Sequence, residues 1–279
     1  MSNLEQRLLT AVIVIPILLF LFWLGGLWVF FLIELVILLG MIEFSRMLQA
    51  KEIPVQRELS TAAALLLGVC AYFGKFDLMV LTLTLSAIVI LAAQLSGKNL
   101  KKAIYATSGS MLGVIYVGLL MSHAILLRNW EGRAGRVDAG LFFIIFLIAV
   151  TFLNDAGAFF IGRKWGTHKM TPVISPKKSW EGVGGAFVFG VAGAVAVKLI
   201  FDRWIIDVGL PWAHCIILGA VLVGVAILGD LVESLFKRDA GIKDAGAIVP
   251  GHGGLLDRLD ALVFTLPVCF YYLKFIAYY

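Results

Sequence analysis

The sequence has 279 residues, of which 61% are hydrophobic and only 15% are charged, and its mean hydropathy is +0.98. A soluble protein of this length could not bury so much apolar surface, so the composition predicts a polytopic membrane protein. The formal net charge is +5. In such a protein the basic residues belong first to loops beside the membrane, so we expect no nucleic-acid partner.

Apolar stretches of about the 20 residues that a membrane-spanning helix needs recur along the chain. They cover residues 8–24, 27–46, 60–74, 78–96, 105–127, 139–162, 183–201, 212–236 and 259–277. Continuous apolar runs without alternation exclude a β-barrel. The expected fold is therefore all-α, a single membrane domain (1–279) with about nine transmembrane helices. Residues 1–104 are expected to form N-terminal helices, and residues 105–279 the functional helices and loops.

The basic residues are distributed unequally between the two sides of this predicted topology. The N-terminal segment and the loops after spans two, four, six and eight contain 16 of the 23 lysines and arginines. The positive-inside rule therefore places the N-terminus in the cytoplasm and the C-terminus outside. The third apolar stretch is the shortest, and its removal from the set would reverse part of this assignment.

The N-terminal half contains few polar residues inside its spans. Glu34 lies within the second span and Glu43 near its end. Such carboxylates line a substrate path or make a packing hydrogen bond; we favour packing for Glu34, and the role of Glu43 stays open. Gly109 and Gly113 have the spacing that lets two helices pack closely, which is compatible with a homodimer.

A first polar region runs from Asn154 to Gly185. Asp155 is expected inside the membrane, where a carboxylate is costly and is a functional candidate by default. Residues 175–182 read SPKKSWEG, which predicts a rigid turn, two lysines suited to phosphate, and a helix with Ser179 as N-cap. The candidate substrate-binding residues are Asp155, Lys177, Lys178, Ser179 and Glu181. A basic cytoplasmic loop would explain the lysines but not Asp155.

The most concentrated polar stretch runs from Ser234 to Asp260 and reads SLFKRDAGIKDAGAIVPGHGGLLDRLD. Its cations can bind phosphate oxygens, its aspartates can hold a hard divalent metal, and its glycines let backbone amides approach a ligand. A solvated charged loop is the simpler alternative. The helix that enters the stretch favours a functional site, because four polar side chains share one of its faces: Asp230, Glu233, Ser234 and Lys237.

This stretch resembles the signature of phosphatidate cytidylyltransferases, also called CDP-diacylglycerol synthases. The signature positions are Ser234, Phe236, Lys237, Arg238, Lys243, Asp244, Gly246, Pro250, His252, Gly253, Gly254, Asp257, Arg258 and Asp260. The one departure is Val249, where the family pattern has Ile, Leu or Phe. The region from Asn154 to Gly185 is similar to the family as well, whereas residues 1–100 resemble it mainly by hydropathy.

The resemblance implies that the phosphate of phosphatidic acid attacks the α-phosphorus of CTP at the cytoplasmic side of the cell (inner) membrane, giving CDP-diacylglycerol and pyrophosphate. This reaction needs positioning and charge neutralisation but no protein nucleophile. We expect Mg²⁺ bound by Asp230 and Asp257, with Asp260 or Asp155 supporting it or holding a second cation.

The expected phosphate-binding side chains are Lys177, Lys178, Lys237, Arg238, Lys243 and Arg258. The remaining expected site residues are Ser234, Asp244, Gly253, Gly254 and His252, and His252 either donates to a phosphate or shapes its turn.

Two other functions are compatible with a polar site in a membrane protein. A CTP-dependent lipid or polyprenol kinase would share the nucleotide site but transfer the γ-phosphate, and the completeness of the pattern over residues 234–260 disfavours it. A secondary transporter could use Asp155, Asp230 and Lys237 as a coupling-ion path. We find no convincing inverted repeat, and the polar residues lie toward one side of the predicted membrane.

Overall fold

A computed structural model describes residues 3–96, 100–131, 139–205, 207–246 and 253–277 of the chain. Its α-helices are α1 (Asn3–Leu24), α2 (Gly26–Ala50), α3 (Arg57–Tyr72), α4 (Phe76–Ala93), α5 (Ala103–Gly113), α6 (Leu120–Arg128), α7 (Ala139–Trp165), α8 (Trp180–Ile200), α9 (Trp212–Asp239) and α10 (Leu256–Tyr272). A π-helical turn, Val114–Leu119, joins α5 to α6. A short antiparallel hairpin, β1 (Lys169–Thr171) and β2 (Ser175–Ser179), precedes α8.

Most of these helices have the length and composition of membrane spans. Within the described part of the chain, seven qualify: Gly26–Ala50, Phe76–Ser96, Ala103–Arg128, Ala139–Trp165, Trp180–Ile205, Trp212–Asp239 and Leu256–Ala277. Helix α1 adds a shorter apolar part, Val12–Leu24. Helix α3 has 16 residues, fewer than the roughly 20 of a typical span. The all-α, polytopic membrane fold is confirmed, and the cytoplasmic N-terminus stays a prediction.

The chain divides into two compact units that are interleaved along the sequence. The first unit contains Met1–Leu126 and Phe236–Leu259, and the second contains Leu127–Leu235 and Asp260–Tyr279. Helices α9 and α10 each contribute residues to both units. The prediction of a single membrane domain stays a prediction.

The core of the first unit is formed by α2, α3 and the π-helical turn. Ile37 and Leu67 are fully buried in it. A Cβ on Gly118 would lie 2.7 Å from the Cα of Ala64, so this close approach requires glycine. The ring of Phe236, the signature aromatic, packs edge-on against Tyr116 with centroids 5.5 Å apart. The start of the signature stretch is thus fixed to this core.

The glycines of α5 have a packing role inside the first unit. A Cβ on Gly109 would meet Leu48 Cδ1 at 3.0 Å, and a Cβ on Gly113 would meet Met41 Cε and Phe44 Cδ1, each at 3.1 Å. Both glycines are buried. Their spacing is therefore explained by contact with α2, and the homodimer stays a prediction without support from this pair.

The second unit is built on the pairing of α7 with α8. The apolar half of α7 is filled by Phe142, Phe143 and Phe146, which are fully buried. Further along, a Cβ on Gly185 would lie 2.6 Å from the carbonyl oxygen of Gly157, so the two backbones meet where neither has a side chain. This contact places the polar end of α7 beside the start of α8.

Candidate functional site

A cavity of about 490 Å³ lies in the second unit, bordered by α7, the β1–β2 hairpin, the start of α8 and α9. Its charged lining consists of Asp155, Arg163, Lys169, Lys177, Lys178 and Asp230. Four cations against two carboxylates leave a net positive lining, which suits a polyanionic ligand with a metal ion. We call it the Asp230 cavity.

One face of helix α7, which includes two charged side chains, borders the Asp230 cavity. Asp155, Phe159, Gly162 and Arg163 all line it, and their spacings of three, four and eight put them on one side of a helix. Asn154 also lines the cavity and is only 2% exposed. Its amide donates to Asp155 Oδ1 at 3.1 Å, whereas its own Oδ1 has no hydrogen-bond partner among the described residues. A buried acceptor of this kind is suited to a ligand donor.

Two oppositely charged side chains face each other in the Asp230 cavity. Lys178 Nζ lies 2.7 Å from Asp230 Oδ2, with side-chain exposures of 24% and 35%. The contact is an ion pair without hydrogen-bond alignment. Ser234 Oγ donates to Asp230 Oδ1 at 3.3 Å. Because Lys178 Nζ is itself buried, the lysine needs an anionic partner, and an incoming phosphate can take the place of the carboxylate.

The hairpin that carries the lysines is attached firmly to α8. Ser179 Oγ accepts a hydrogen bond from Gly182 N at 3.2 Å, so the predicted N-cap is confirmed. Glu181 accepts from Thr167 Oγ1 at 2.7 Å and from His168 N at 3.2 Å. In this conformation Glu181 ties the segment before β1 to the helix start, and its predicted substrate contact stays a prediction.

The first unit contains a second polar cluster, at the first turn of α10. Lys237 Nζ lies 2.6 Å from Asp257 Oδ1. The backbone amides of Ala245 and Gly254 both donate to Asp257 Oδ2 at 2.9 Å. The Asp257 side chain is only 7% exposed. We call these four residues the Asp257 cluster, in which one carboxylate holds together the end of α9, the loop and the glycine turn.

The signature glycines are explained by the backbone of the Asp257 cluster. Gly253 has φ of +88°, a conformation that other residues rarely adopt. A Cβ on Gly254 would lie 2.7 Å from Gly246 N and 2.9 Å from Asp257 Oδ2. These glycines therefore permit the close backbone approach that places two N–H groups on one carboxylate.

The other predicted residues differ in exposure and in the unit to which they belong. Arg238, Lys243, Asp244 and Arg258 are exposed. Asp260 belongs to the second unit, where its Oδ1 accepts from Ala261 N at 2.7 Å. His252 lies outside the described residues.

The buried carboxylate of Glu43 lies beside the Asp257 cluster, and the sequence assigned it no role in the site. Glu43 of α2 is fully buried, and its two carboxylate oxygens accept hydrogen bonds from the amides of Leu255 and Leu256, each at 2.9 Å. Arg163 and Lys169 also line the Asp230 cavity, although no site role was predicted for either. The helical spacing from Asp155 was an available signal for Arg163, whereas Lys169 lies in β1 and has no such spacing.

The carboxylates differ in how well they suit a metal ion. Within the described ranges, no three or more His, Cys, Asp or Glu side chains form a group able to hold one. Mg²⁺ usually takes only one or two carboxylates and completes its shell with water and substrate phosphates. Asp155 and Asp230, which line one cavity, fit this requirement. The Asp257 carboxylate is already engaged by Lys237 and two amides, so it fits a metal only when Lys237 moves away.

Comparison with known proteins shows to which family the chain is similar. A sequence model described as the cytidylyltransferase family matches residues 5–276. A phosphatidate cytidylyltransferase of Synechocystis sp. is 33% identical over 96% of this chain and 95% of its own length. One from Staphylococcus saprophyticus is 32% identical over 95% of this chain and 96% of its own length. One from Bacillus subtilis is 35% identical over 58% of this chain and 56% of its own length.

Proposed function

Because this chain belongs to the cytidylyltransferase family, we propose that it transfers the cytidylyl group of CTP to phosphatidic acid, giving CDP-diacylglycerol and pyrophosphate. The Asp230 cavity carries this proposal, since it combines four cations with two carboxylates in a chain of membrane-spanning helices. Both substrates and both products are anionic, and one substrate is a membrane lipid.

Positioning of the two phosphates is the main task of the protein in this reaction. A lipid phosphate is ionised at neutral pH, so it needs no general base, and no protein nucleophile is required. Lys177, Lys178, Lys169 and Arg163 line the Asp230 cavity. Together they hold phosphate oxygens in place and offset the repulsion between nucleophile and CTP.

Each of the two lysine–aspartate pairs gives its own unit a way to accept an anion and a cation together. Lys178 is paired with Asp230 and Lys237 with Asp257. When a phosphate arrives, each lysine keeps its positive charge but pairs with the phosphate in place of the carboxylate. The released carboxylate would then be available to a metal ion.

We propose that Asp230 with Asp155 would hold Mg²⁺ in the Asp230 cavity. The Asp257 carboxylate, in the first unit, would be a separate candidate ligand once Lys237 has moved. When bound, Mg²⁺ polarises the phosphoryl oxygens and neutralises charge on the leaving pyrophosphate. Asn154 supports the Asp155 carboxylate by its hydrogen bond at 3.1 Å. A second cation would take the remaining carboxylate.

The location of the site follows from the same chemistry. CTP is a cytoplasmic metabolite, and the basic loops predict the cytoplasmic side for the hairpin and the signature loop. The enzyme is accordingly proposed to lie in the cell (inner) membrane with its site open to the cytoplasm, where phosphatidic acid reaches it from the bilayer.

The proposal is tested with purified protein in detergent, supplied with Mg²⁺, phosphatidic acid and CTP labelled at either the α- or the γ-phosphate. Cytidylyl transfer puts the α-label into lipid and releases the γ-label as pyrophosphate. Parallel reactions offer diacylglycerol and polyprenol as acceptors. Lipid labelled only from the γ-position identifies a kinase. No labelled lipid from either position, beside an active control enzyme, contradicts both and returns the transporter hypothesis.

A further inference from the structure

We propose that Glu43 is a positioning residue for the signature site, in that its buried carboxylate fixes the start of α10 and thereby the direction of the Asp257 side chain. The sequence places Glu43 in the second span, far from every motif. In the structure it lies in the first unit beside the Asp257 cluster.

Glu43 accepts hydrogen bonds from the backbone amides of the two residues just before Asp257. Leu255 N donates to Glu43 Oε1 and Leu256 N donates to Oε2, each at 2.9 Å. Leu256 is the first residue of α10, and the first N–H groups of a helix have no partner within it. A carboxylate at this end also interacts favourably with the helix dipole. Glu43 therefore caps α10 from another helix.

The surface of α2 beside Glu43 also accommodates the start of α10. Gly40 lies one turn earlier, and a Cβ there would meet Leu256 Cδ2 at 3.3 Å. Leu256 is 1% exposed. The side chain of Leu256 thus packs against a helix face that has no side chain at Gly40, while its amide is held by Glu43.

Gly246 of the signature is explained by the same carboxylate. A Cβ on Gly246 would lie 2.9 Å from Glu43 Cδ and 3.1 Å from Cγ, with Oε1 closer still. Gly246 therefore lies directly against Glu43, which leaves no room for a side chain at this position. A glycine whose role looked like ligand approach is required by a buried residue of another helix.

Glu43 and Asp257, which lie far apart in the sequence, hold the same two backbone segments. Asp257 Oδ2 binds the amides of Ala245 and Gly254. Glu43 contacts the residue after Ala245 and binds the amides of the two residues after Gly254. Glu43 is 0% exposed and touches no substrate in this arrangement. Its effect on the reaction, which rests on the proposed function of Asp257, passes through the loop and the start of α10.

The test uses full-length protein carrying Glu43→Gln or Glu43→Ala, with Glu34→Gln as the matched control on the same helix. Hydrogen exchange of the backbone amides of residues 253–258 is measured by mass spectrometry, and kcat and KM are measured for CTP and phosphatidic acid. Glu43→Gln keeps one acceptor oxygen but sets an amide donor against the other backbone N–H, so we expect faster exchange of at least one of Leu255 and Leu256, and Glu43→Ala should speed the exchange of both. We expect kcat to fall about tenfold or more with KM for phosphatidic acid unchanged, since misplacement of a reactive group lowers turnover. Glu34→Gln should match the wild type.

A double mutant separates positioning from general destabilisation. Gly246→Ala alone should be strongly impaired, because the methyl group meets Glu43. Adding Glu43→Ala removes that clash, so the double mutant should lose less activity than the product of the two single losses. Thermal unfolding in detergent identifies any variant that has simply lost its fold, and Gly118→Ala, which clashes with Ala64 in the same unit, provides a destabilised reference without such coupling.

The exchange measurement decides the structural part without any turnover. Wild-type protein that shows the expected protection but transfers no cytidylyl group would refute the proposed function and leave the capping intact. Folded Glu43→Gln with wild-type exchange, or with faster exchange but wild-type kcat, would overturn the positioning role.

Discussion

The Asp257 cluster and the Asp230 cavity contain the same kind of ion pair in different surroundings. In the first, the aspartate is 7% exposed and two backbone amides share it with Lys237. In the second, the aspartate is 35% exposed and contacts a lysine in the wall of a cavity. The Asp257 carboxylate is therefore part of the framework of its loop, whereas the Asp230 carboxylate is more accessible to a ligand.

The largest expected effect is that of Asp257→Asn, which removes the charge that holds Lys237. Loss of one partner from a largely buried ion pair costs about 3–5 kcal/mol, and we expect turnover to be abolished while the protein still inserts into the membrane. Initial rates and thermal unfolding in detergent measure the two consequences. The control is Asp239→Asn, since Asp239 is 61% exposed in its pair with Lys51. Near-normal activity of Asp257→Asn would remove this residue from the site.

Asp230→Asn should have the next largest effect, and on a different quantity. The Asp230 side chain is 35% exposed, against 7% for Asp257, so thermal stability should fall less than in Asp257→Asn. The Mg²⁺ concentration for half-maximal rate should rise by more than about tenfold, because a hard cation loses a charged oxygen ligand. Asp77→Asn, at an exposed aspartate of α4, controls for surface charge. An unchanged Mg²⁺ requirement would contradict the assignment of Asp230.

Lys178→Ala tests the phosphate-binding side of the same cavity. A hydrogen bond to a charged group contributes roughly 1.5–3 kcal/mol, so we expect KM for CTP or phosphatidic acid to rise about tenfold or more. The control is Lys164→Ala, because Lys164 lies over the ring of Trp165 near the end of α7. Equal KM values for the two variants would show that Lys178 is not a phosphate ligand.

The smallest effect is expected for Ser179→Ala, which removes the N-cap of α8. Loss of such a cap costs about 1 kcal/mol of stability, so the thermal unfolding temperature should fall slightly. Ser179→Thr keeps the oxygen acceptor and should remain close to the wild type. A large loss of turnover with unchanged stability in Ser179→Ala would instead indicate direct substrate contact.

The parts of this molecule that sequence predicts are those set by local chemistry. Hydropathy identifies the helices because lipid requires every backbone group to be paired within a segment. The N-cap at Ser179 was readable because capping depends on neighbouring residues only. The concentration of charge in two stretches likewise indicated the cavity and the signature loop.

The parts that sequence did not predict depend on contacts between distant residues. Glu43 and Leu255 are 212 positions apart, and nothing around Glu43 shows that a helix end would lie against it. Gly109 and Gly113 had the spacing of a helix-dimer motif, yet they pack against α2 of their own unit. The engagement of Asp257 by two amides follows from the conformation of the glycine turn, which a motif does not reveal.

The proposal that the Asp230 cavity binds substrate phosphates is best tested with CTP, by hydrogen exchange with and without CTP and Mg²⁺. Peptides covering residues 162–183 should become protected at saturating CTP in the wild type, and this protection should be lost in Lys178→Ala but kept in Lys164→Ala. Protection that is absent from residues 162–183, or that is the same in both variants, would contradict it.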